Sequence, residues 1–304
     1  MNRLYIHQAI SISAQGFWEG FSVPDLREYL VAFKAADADY KAVIPATSLR
    51  RMSKITKMAL LCGLTVSGNS TLDWDAIIVG TGLGNLADTE KFLLNSFSQT
   101  GLVSPTAFTQ SSHNTLSGQL ALQLKNHGYN MTHVQRSLSF ENALKDAALQ
   151  CKLGSKNILL GAADEHIPLL DSLAQDMGYS DEEISGFGEG ASFFHLSEVR
   201  STGVFVQDIS VQSSEVKPLD VLDEFLRKNQ VDKDVCLIIT TNDKLHGITM
   251  QQRSVPNLAG KYMTSSGLGM HLGCFYLAKK ECRHVVIVNN SSTRGLGLIL
   301  LAYD

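Results

Sequence analysis

Four short runs of almost entirely apolar residues constrain the fold more than any other feature of the sequence. They are IIVG at 77–80, ILLG at 158–161, LIIT at 237–240 and VVIV at 285–288. A strand with one face in water alternates apolar and polar residues, so a continuous apolar run indicates a strand covered on both faces. The chain is therefore expected to form a mostly parallel sheet between layers of helices, an α/β architecture.

Strands and helices alternate along the whole chain in a similar order in its two halves. Strands are predicted at 4–13, 75–80, 157–161 and 191–196, then at 204–211, 235–240, 284–289 and 296–302, with helical patterns at 219–228 and 268–279. No low-complexity linker separates the two series. The pattern predicts one compact unit of two halves, residues 1–200 and a shortened second half at 201–304.

Composition excludes several classes of function. At 304 residues and 44% hydrophobic content the chain can bury a sizeable core, while its net charge of −4 and lack of Lys or Arg runs argue against nucleic acid as a partner. No apolar stretch approaches the roughly 18 residues that span a bilayer, so we expect a cytoplasmic protein. Five cysteines without CxxC spacing predict reduced thiols, and neither a metal nor a cofactor is expected.

The segment GFGEGASFFHL, which begins at Gly186, places glycines where the chain turns into an apolar strand. It resembles the GxGEGAxxxxL signature of the β-ketoacyl-acyl-carrier-protein synthases and includes Glu189. Segments at 50–60, 79–85, 104–122 and 158–170 resemble four other motifs of this family in the family's order. The resemblance covers nearly the whole chain. It implies the thiolase-like fold, duplicated βα halves in layers α/β/α/β/α, with Asn114 in the motif that usually lies at the dimer interface.

In active members of the family the nucleophile is a cysteine at the start of a buried helix, whose N-terminus lowers the pKa of the thiol. The run ALKDAALQ at 143–150 matches that helix and aligns Ser137 with the cysteine. A hydroxyl is not equivalent to a thiol, because it needs an adjacent base to become a nucleophile. The simpler interpretation of Ser137 is a residue that caps the next helix.

The family also uses two histidines for oxyanion stabilisation and decarboxylation. KYMTSSGLGMHLG at 261–273 resembles the motif of one of them and retains Lys261, but Ser266 stands at the histidine position. Counting from the preceding strand places Asn242 at the other histidine position, and His246 follows only after an insertion. The closing NSFGFGGTN loop is altered to NNSSTRGLG, and we interpret His271, more than one turn into the helix, as a packing residue.

Loss of the cysteine and of at least one histidine within this scaffold resembles the chain length factors, the inactive partners of heterodimeric ketosynthases in polyketide and aryl polyene pathways. The resemblance implies an intact β-ketoacyl-acyl-carrier-protein synthase as the partner subunit and an acyl carrier protein as a further partner. The chain would then have no catalytic residues of its own and would help to shape the tunnel that holds the growing acyl chain.

Two alternatives remain. The first is a divergent acyltransferase or hydrolase that uses Ser137 with His113, His133 or His246 as its base, although the GxSxG elbow of serine hydrolases is missing. The second is a structural homodimer that binds the acidic acyl carrier protein. Its contacts would come from a basic helical stretch made of Arg50, Arg51, Lys54 and Lys57.

Overall fold

The computed structural model of the protein describes residues 3–23, 26–27, 32–68, 72–98, 105–212, 217–242, 245–291 and 295–304. Strands of the first half are β1 (Leu4–Ser13), β2 (Gly16–Glu19), β3 (Ala76–Gly80), β4 (Tyr129–His133), β5 (Ile158–Asp164) and β6 (Gly190–Ser197). Strands of the second half are β7 (Val204–Gln212), β8 (Cys236–Thr240), β9 (Gln251–Ser254), β10 (His284–Ser291) and β11 (Gly295–Tyr303).

Helices connect these strands in both halves. They are α1 (Ala46–Leu49), α2 (Lys54–Ser67), α3 (Leu86–Ser98), α4 (Pro105–Gln110), α5 (Thr115–Leu124), α6 (Ser139–Lys152), α7 (Pro168–Asp176), α8 (Asp181–Ser185), α9 (Pro218–Lys228), α10 (Pro256–Ala259) and α11 (Ser266–Ala278). None of the described helices combines the length and the apolarity that crossing a bilayer requires.

The strands of the two halves follow the same spatial order. The first half runs β4-β3-β5-β6-β1 and the second runs β9-β8-β10-β11-β7, while β2 pairs only with β1. In each half the first three strands of that order are parallel, and the last two are antiparallel to their neighbours. The halves meet where β1 pairs with β7 through Leu4–Val206 and Tyr5–Phe205. This repeat supports the proposed division near residue 200.

Alternate residues of the strands enter different core clusters, which defines the layers. Ile77 of β3 packs with α2 and α5 in an outer cluster, whereas Ile78 packs with α6 and α11 in a central cluster. In the second half Ile287 of β10 joins the central cluster, and Val286 packs with α9 in the other outer cluster. The layers are therefore, in order, helices α2 and α5, the strands of the first half (the first sheet), helices α6 and α11, the strands of the second half (the second sheet), and helix α9. This order confirms the predicted α/β/α/β/α layers.

The expectation of a mostly parallel sheet was wrong. Apolar runs report burial on both faces and carry no information on strand direction. Strand β6 shows this, because Phe193 packs on the α2 side and Phe194 on the α6 side, although β6 pairs antiparallel with both β5 and β1. Antiparallel strands between two helical layers thus have the same composition as parallel ones.

One buried carboxylate joins three distant segments of the chain. Asp164, the last residue of β5, accepts hydrogen bonds at Oδ1 from Gly82 N (2.8 Å) and Thr81 Oγ1 (3.2 Å), and at Oδ2 from Thr264 N (2.8 Å) and Oγ1 (2.6 Å). Burial raises the pKa of Asp164, and these hydrogen bonds act against that rise. Because Thr264 lies two residues before the first residue of α11, Asp164 fixes the central helix of the second half to the first sheet.

We expect Asp164→Ala to lower the free energy of unfolding by about 3 kcal/mol, because the N–H groups of Gly82 and Thr264 lose their acceptor inside the protein. Urea unfolding at neutral pH measures the change. Asp176→Ala, at an exposed position at the end of α7, is the control and should stay within about 0.5 kcal/mol of the wild type. Equal stability of the two variants would contradict this role.

Candidate functional site

Ser137 lies in a short 3₁₀ turn, Arg136–Leu138, that leads into the central helix α6. The preceding residue, Arg136, has a left-handed backbone with φ of 54°. The Oγ atom of Ser137 is buried and has no hydrogen-bond partner among the residues that the structure describes. None of His113, His133 and His246 therefore forms a hydrogen bond with this hydroxyl.

The two residues that the sequence aligns with the histidines of the family, Ser266 and Asn242, are differently placed. Ser266 begins α11 and is fully buried, and its Oγ makes no hydrogen bond of standard geometry within the described part of the chain. Asn242 follows β8 and donates a hydrogen bond from Nδ2 to the backbone oxygen of Asn290 in β10. Neither side chain can take up a proton near neutral pH as an imidazole does.

Glu141 connects the Ser137 and Ser266 positions. Its carboxylate Oε1 accepts a hydrogen bond from Asn289 Nδ2 (2.8 Å), and the same Nδ2 donates to the backbone oxygen of Ser137 (2.5 Å). The Ser266 hydroxyl is near enough to favour the ionised form of Glu141. At Gly297 in β11 a Cβ atom would lie 2.7 Å from Cγ of Glu141, so this position requires glycine.

Glu141 is fully buried, and desolvation raises the pKa of its carboxyl group to about 7. The carboxyl group lies in the first turn of α6, where the helix dipole and free N–H groups favour negative charge. This N-terminus has the location at which the family lowers the pKa of the catalytic thiol. In this chain the first turn of α6 carries the carboxyl group of Glu141.

No cysteine takes the place of the missing nucleophile. Cys62, Cys151, Cys236 and Cys274 are buried, Cys282 is partly exposed, and all five are free thiols. Burial raises the pKa of each of these thiols. Since the thiolate is the reactive form, all five are poor nucleophiles near neutral pH.

Glu189 and Lys261, two of the retained motif residues, organise the backbone near this centre. Glu189 is 1% exposed and accepts hydrogen bonds from Ala35 N (2.8 Å), His166 N (3.2 Å) and the ammonium group of Lys54. The backbone of Lys261 pairs with the glycine-rich segment, since its N–H donates to the Gly186 oxygen at 2.8 Å. Both residues thus hold the loop that leads into β6.

Asn114, the third retained motif residue, is exposed at the start of α5. Its Oδ1 accepts hydrogen bonds from Ser117 Oγ (2.9 Å) and from Thr132 Oγ1 of β4 (3.1 Å). It therefore connects α5 to β4, the outermost strand of the first sheet.

The four basic residues considered as carrier-protein contacts do not lie on one helix, as the sequence had suggested. Arg50 and Arg51 are exposed in the turn between α1 and α2, and only Lys54 and Lys57 belong to α2. Lys54 is engaged with the buried carboxylate of Glu189. The helical prediction failed because Ser53, which precedes Lys54, starts the helix in an extended conformation.

His271, His133 and His246 have other surroundings. His271 is fully buried, with Nε2 2.7 Å from the Gly20 oxygen and Nδ1 2.7 Å from Ser11 Oγ, and burial lowers its pKa to about 4. His133 pairs with Asp146 at 2.9 Å. His246 is exposed, beside Leu245 and Ile248, which pack on the α9 side of the second sheet.

Sequence reasoning missed Glu141, Asn289 and Asp164. Glu141 follows Phe140 on the buried face of α6, where an acidic side chain has no contact with solvent. An acid among apolar residues of a helix was the signal from which a buried polar contact could have been predicted. Asp164 ends an otherwise apolar strand, which is a second place where a charge needs partners.

We expect Glu141→Gln to be more stable than the wild type by about 3 kcal/mol at pH 8. The folded pKa of about 7 lies above the unfolded value of 4.5, so ionisation disfavours folding as pH rises through this window. The gain should shrink to below about 1 kcal/mol at pH 5. Urea unfolding at both pH values measures it, with the exposed Glu224→Gln as control. A variant that is less stable than the wild type at pH 8 would contradict the account.

Comparison with known proteins identifies the family. Residues 27–177 match the profile of the β-ketoacyl synthase N-terminal domain. No curated protein matches the chain. The ishigamide ketosynthase/chain length factor structure matches with a TM-score of 0.81 and 14% identity over 99% of both chains. A β-ketoacyl synthase from Burkholderia phymatum STM815 matches with a TM-score of 0.77 and 12% identity over 100% of both chains.

A third solved structure is the ketosynthase ApeO in complex with its chain length factor ApeC from Xenorhabdus doucetiae, with a TM-score of 0.62 and 16% identity over 99% of both chains. At these identities the structural likeness establishes the fold alone. It shows that this chain has the thiolase-like fold, and the matched profile identifies residues 27–177 as a β-ketoacyl synthase N-terminal domain.

Proposed function

We propose that this chain is a non-catalytic subunit of the chain-length-factor type, which pairs with an active β-ketoacyl-acyl-carrier-protein synthase. One observation carries the proposal: the hydroxyl of Ser137 is buried and lacks a base within hydrogen-bond distance in the described part of the chain. A general base must reach the proton that it removes. Without a base the hydroxyl stays protonated and cannot attack a thioester.

The surroundings of Ser137 support the same role. Ser266 and Asn242 replace the two groups that could stabilise an oxyanion as imidazoles, and the buried carboxyl of Glu141 would repel a developing negative charge. A condensing centre needs groups that stabilise a developing negative charge. Ketosynthase chemistry would therefore come from the partner, and this chain would cover the interface and shape the space for the growing acyl chain.

An edge of the first sheet supports the proposal of a partner. Strand β4 is the last strand at that edge, and within the described part of the chain no strand pairs with its outer side. Exposed apolar side chains lie on α5, which packs on β4, and on the contacting helices α3 and α4, with Phe97 of α3 86% exposed, Phe108 of α4 63% and Leu122 of α5 71%. Such apolar exposure is typical of a protein interface. The solved ketosynthases named with chain length factors supply the kind of partner.

The acyl carrier protein is the second partner in this proposal. Arg50, Arg51 and Lys57 remain candidate contacts with its acidic surface, because charged patches of opposite sign guide association. Lys54 is the weakest candidate, since its ammonium group already pairs with Glu189.

The proposal predicts that the chain co-purifies with an intact ketosynthase from the same organism and that only the complex elongates a malonyl-carrier substrate. Neither chain alone should condense. Because Ser137 has no catalytic task in this account, Ser137→Ala in the complex should leave the rate within about twofold of the wild type. A homodimer of this chain that condenses or hydrolyses acyl thioesters, and loses that activity in Ser137→Ala, would disprove it.

A matched pair of variants tests the interface. Leu122→Glu should abolish co-purification, because an unpaired charge at the centre of an apolar contact costs several kcal/mol. Leu153→Glu changes an equally exposed leucine, 72% against 71%, just after α6. This control should fold and pair like the wild type. Loss of pairing in both variants, or in neither, would argue against the β4 face.

A further inference from the structure

Two imidazole rings are in contact on the side of the first sheet that faces α2. The ring centroids of His7 in β1 and His195 in β6 are 4.6 Å apart, and the ring planes are tilted by 38°. His195 is 9% exposed, and His7 is partly exposed. Phe193, two residues before His195 on the same face of β6, packs in the cluster of α2. The pair therefore lies across the sheet from α6 and from the turn that holds Ser137.

A β-bulge places His7 beside His195. Ile6 of β1 pairs with Leu196 and Gln8 pairs with His195, so His7 is the extra residue between two regular pairs. In an unbroken strand, neighbouring side chains point to opposite faces of the sheet. A bulge sets two residues of one strand opposite one residue of the other and redirects a side chain, and bulges are over-represented beside functional sites. Here the bulge brings one imidazole onto another.

Each of the two rings uses its Nε2 atom as a hydrogen-bond donor. His7 Nε2 lies 2.7 Å from the backbone oxygen of Val199, and His195 Nε2 lies 3.1 Å from Oδ1 of Asn157, whose Nδ2 donates to the Asp73 oxygen. Because both partners are oxygen acceptors, the hydrogen of each neutral ring is on Nε2. The lone pair of each ring is then on Nδ1, which forms no hydrogen bond with the residues that the structure describes.

His195 is in the protonation state that binds a metal ion. Burial, with a smaller effect of the neighbouring His7, lowers the pKa of His195 to about 4. The ring is therefore neutral near pH 7 and loses no proton when an ion binds. In metal sites the imidazole nitrogen that is not a ligand usually donates to an oxygen atom, which fixes the orientation of the ring. Val199 and Asn157 already supply such oxygens to the two rings.

We propose that His7 and His195 bind one divalent transition-metal ion of the Zn²⁺ type through their Nδ1 atoms, with water completing the coordination. Imidazole suits Zn²⁺ and Ni²⁺, whereas Mg²⁺ and Ca²⁺ prefer oxygen ligands. Among the described residues no group of three or more His, Cys, Asp and Glu side chains is placed to hold a metal, so the two imidazoles are the whole contribution of the protein. The partly exposed His7 gives an ion access from solvent.

The bound ion would join β1 to β6 beside the bulge. Its binding would stabilise the folded chain in proportion to the occupancy of the site. The inference goes beyond the proposed partner-subunit function, because it requires neither a ketosynthase nor condensation.

Equilibrium dialysis of the purified full chain against ZnCl₂ and against MgCl₂, at neutral pH with the thiols kept reduced, tests the proposal. The wild type should bind one Zn²⁺ per chain and no Mg²⁺, and Zn²⁺ should raise its midpoint temperature of unfolding. His7→Gln and His195→Gln should each weaken Zn²⁺ binding by at least about 10-fold, since even the loss of an outer hydrogen-bond partner costs roughly 10- to 100-fold. Asn157→Ala, which removes such a partner, should weaken binding within that range.

Two control variants separate this site from other zinc ligands. His127→Gln removes an exposed histidine outside the pair and should bind Zn²⁺ like the wild type. Cys282→Ser removes the partly exposed thiol, which could also capture Zn²⁺, and should bind like the wild type as well. Thermal unfolding without metal checks that each variant folds. If the buried change His195→Gln prevents folding, the partly exposed His7→Gln decides the test.

No binding of Zn²⁺ by the wild type, unchanged binding in folded His7→Gln, or loss of binding in Cys282→Ser would each overturn the proposal. The dialysis uses this chain alone and has no elongation readout. Failure of metal binding therefore leaves the pairing experiment unaffected, and failure of pairing leaves this result unaffected.

Discussion

The buried carboxylate of Asp164 is the constraint on which the geometry of the centre depends. Its hydrogen bonds to Thr81, Gly82 and Thr264 join the end of β5, the turn after β3 and the start of α11. Ionised carboxylates inside a protein are tolerated only when donors surround them. The three segments must therefore keep their relative positions. Ser266, two residues after Thr264, is thereby held at the start of α11.

The packing of the central helices explains why the fold does not depend on the polar residues Ser137 and Ser266. The central helices α6 and α11 pack between the two sheets in one cluster that contains residues of both halves. A change at Ser137 or Ser266 alters a polar group at the ends of these helices, and their apolar faces are unaffected. The layers and the edge strand β4 therefore do not depend on which polar groups stand at these two positions.

Much of the fold could be predicted from the sequence, because a strand that is buried on both faces is a continuous run of apolar residues. All eight predicted strands are present, and the helices at 218–228 and 266–278 lie within two residues of their predicted bounds. The strands β4 and β9 were missed. Each is the outermost strand of its half, so YNMTH and QQRS have a solvent side and no apolar run. The strand β2 is short and pairs only with β1.

The site was less predictable, because its polar contacts join distant segments. Register alone located Ser137 and Ser266, but it gave no indication of Glu141, whose partner Asn289 lies 148 positions away. Likewise, Lys54 is part of a basic segment of the sequence, but in the structure its ammonium group pairs with the carboxylate of Glu189. Charge patterns identify residues that can interact, but only the tertiary structure shows which of them already have a partner within the protein.

The position of Glu141 also bears on the chemistry that the N-terminus of α6 can support. The N-terminus of α6 favours a negative charge, and in this chain a carboxyl group that burial holds near a pKa of 7 already lies there. Asn289 of β10 and Gly297 of β11 are fitted to that side chain. Three elements, α6, β10 and β11, thus meet at this carboxyl group. Under the proposed function, a thiol at position 137 would meet a competing negative charge and no imidazole, so the proposed lack of activity would not rest on one residue.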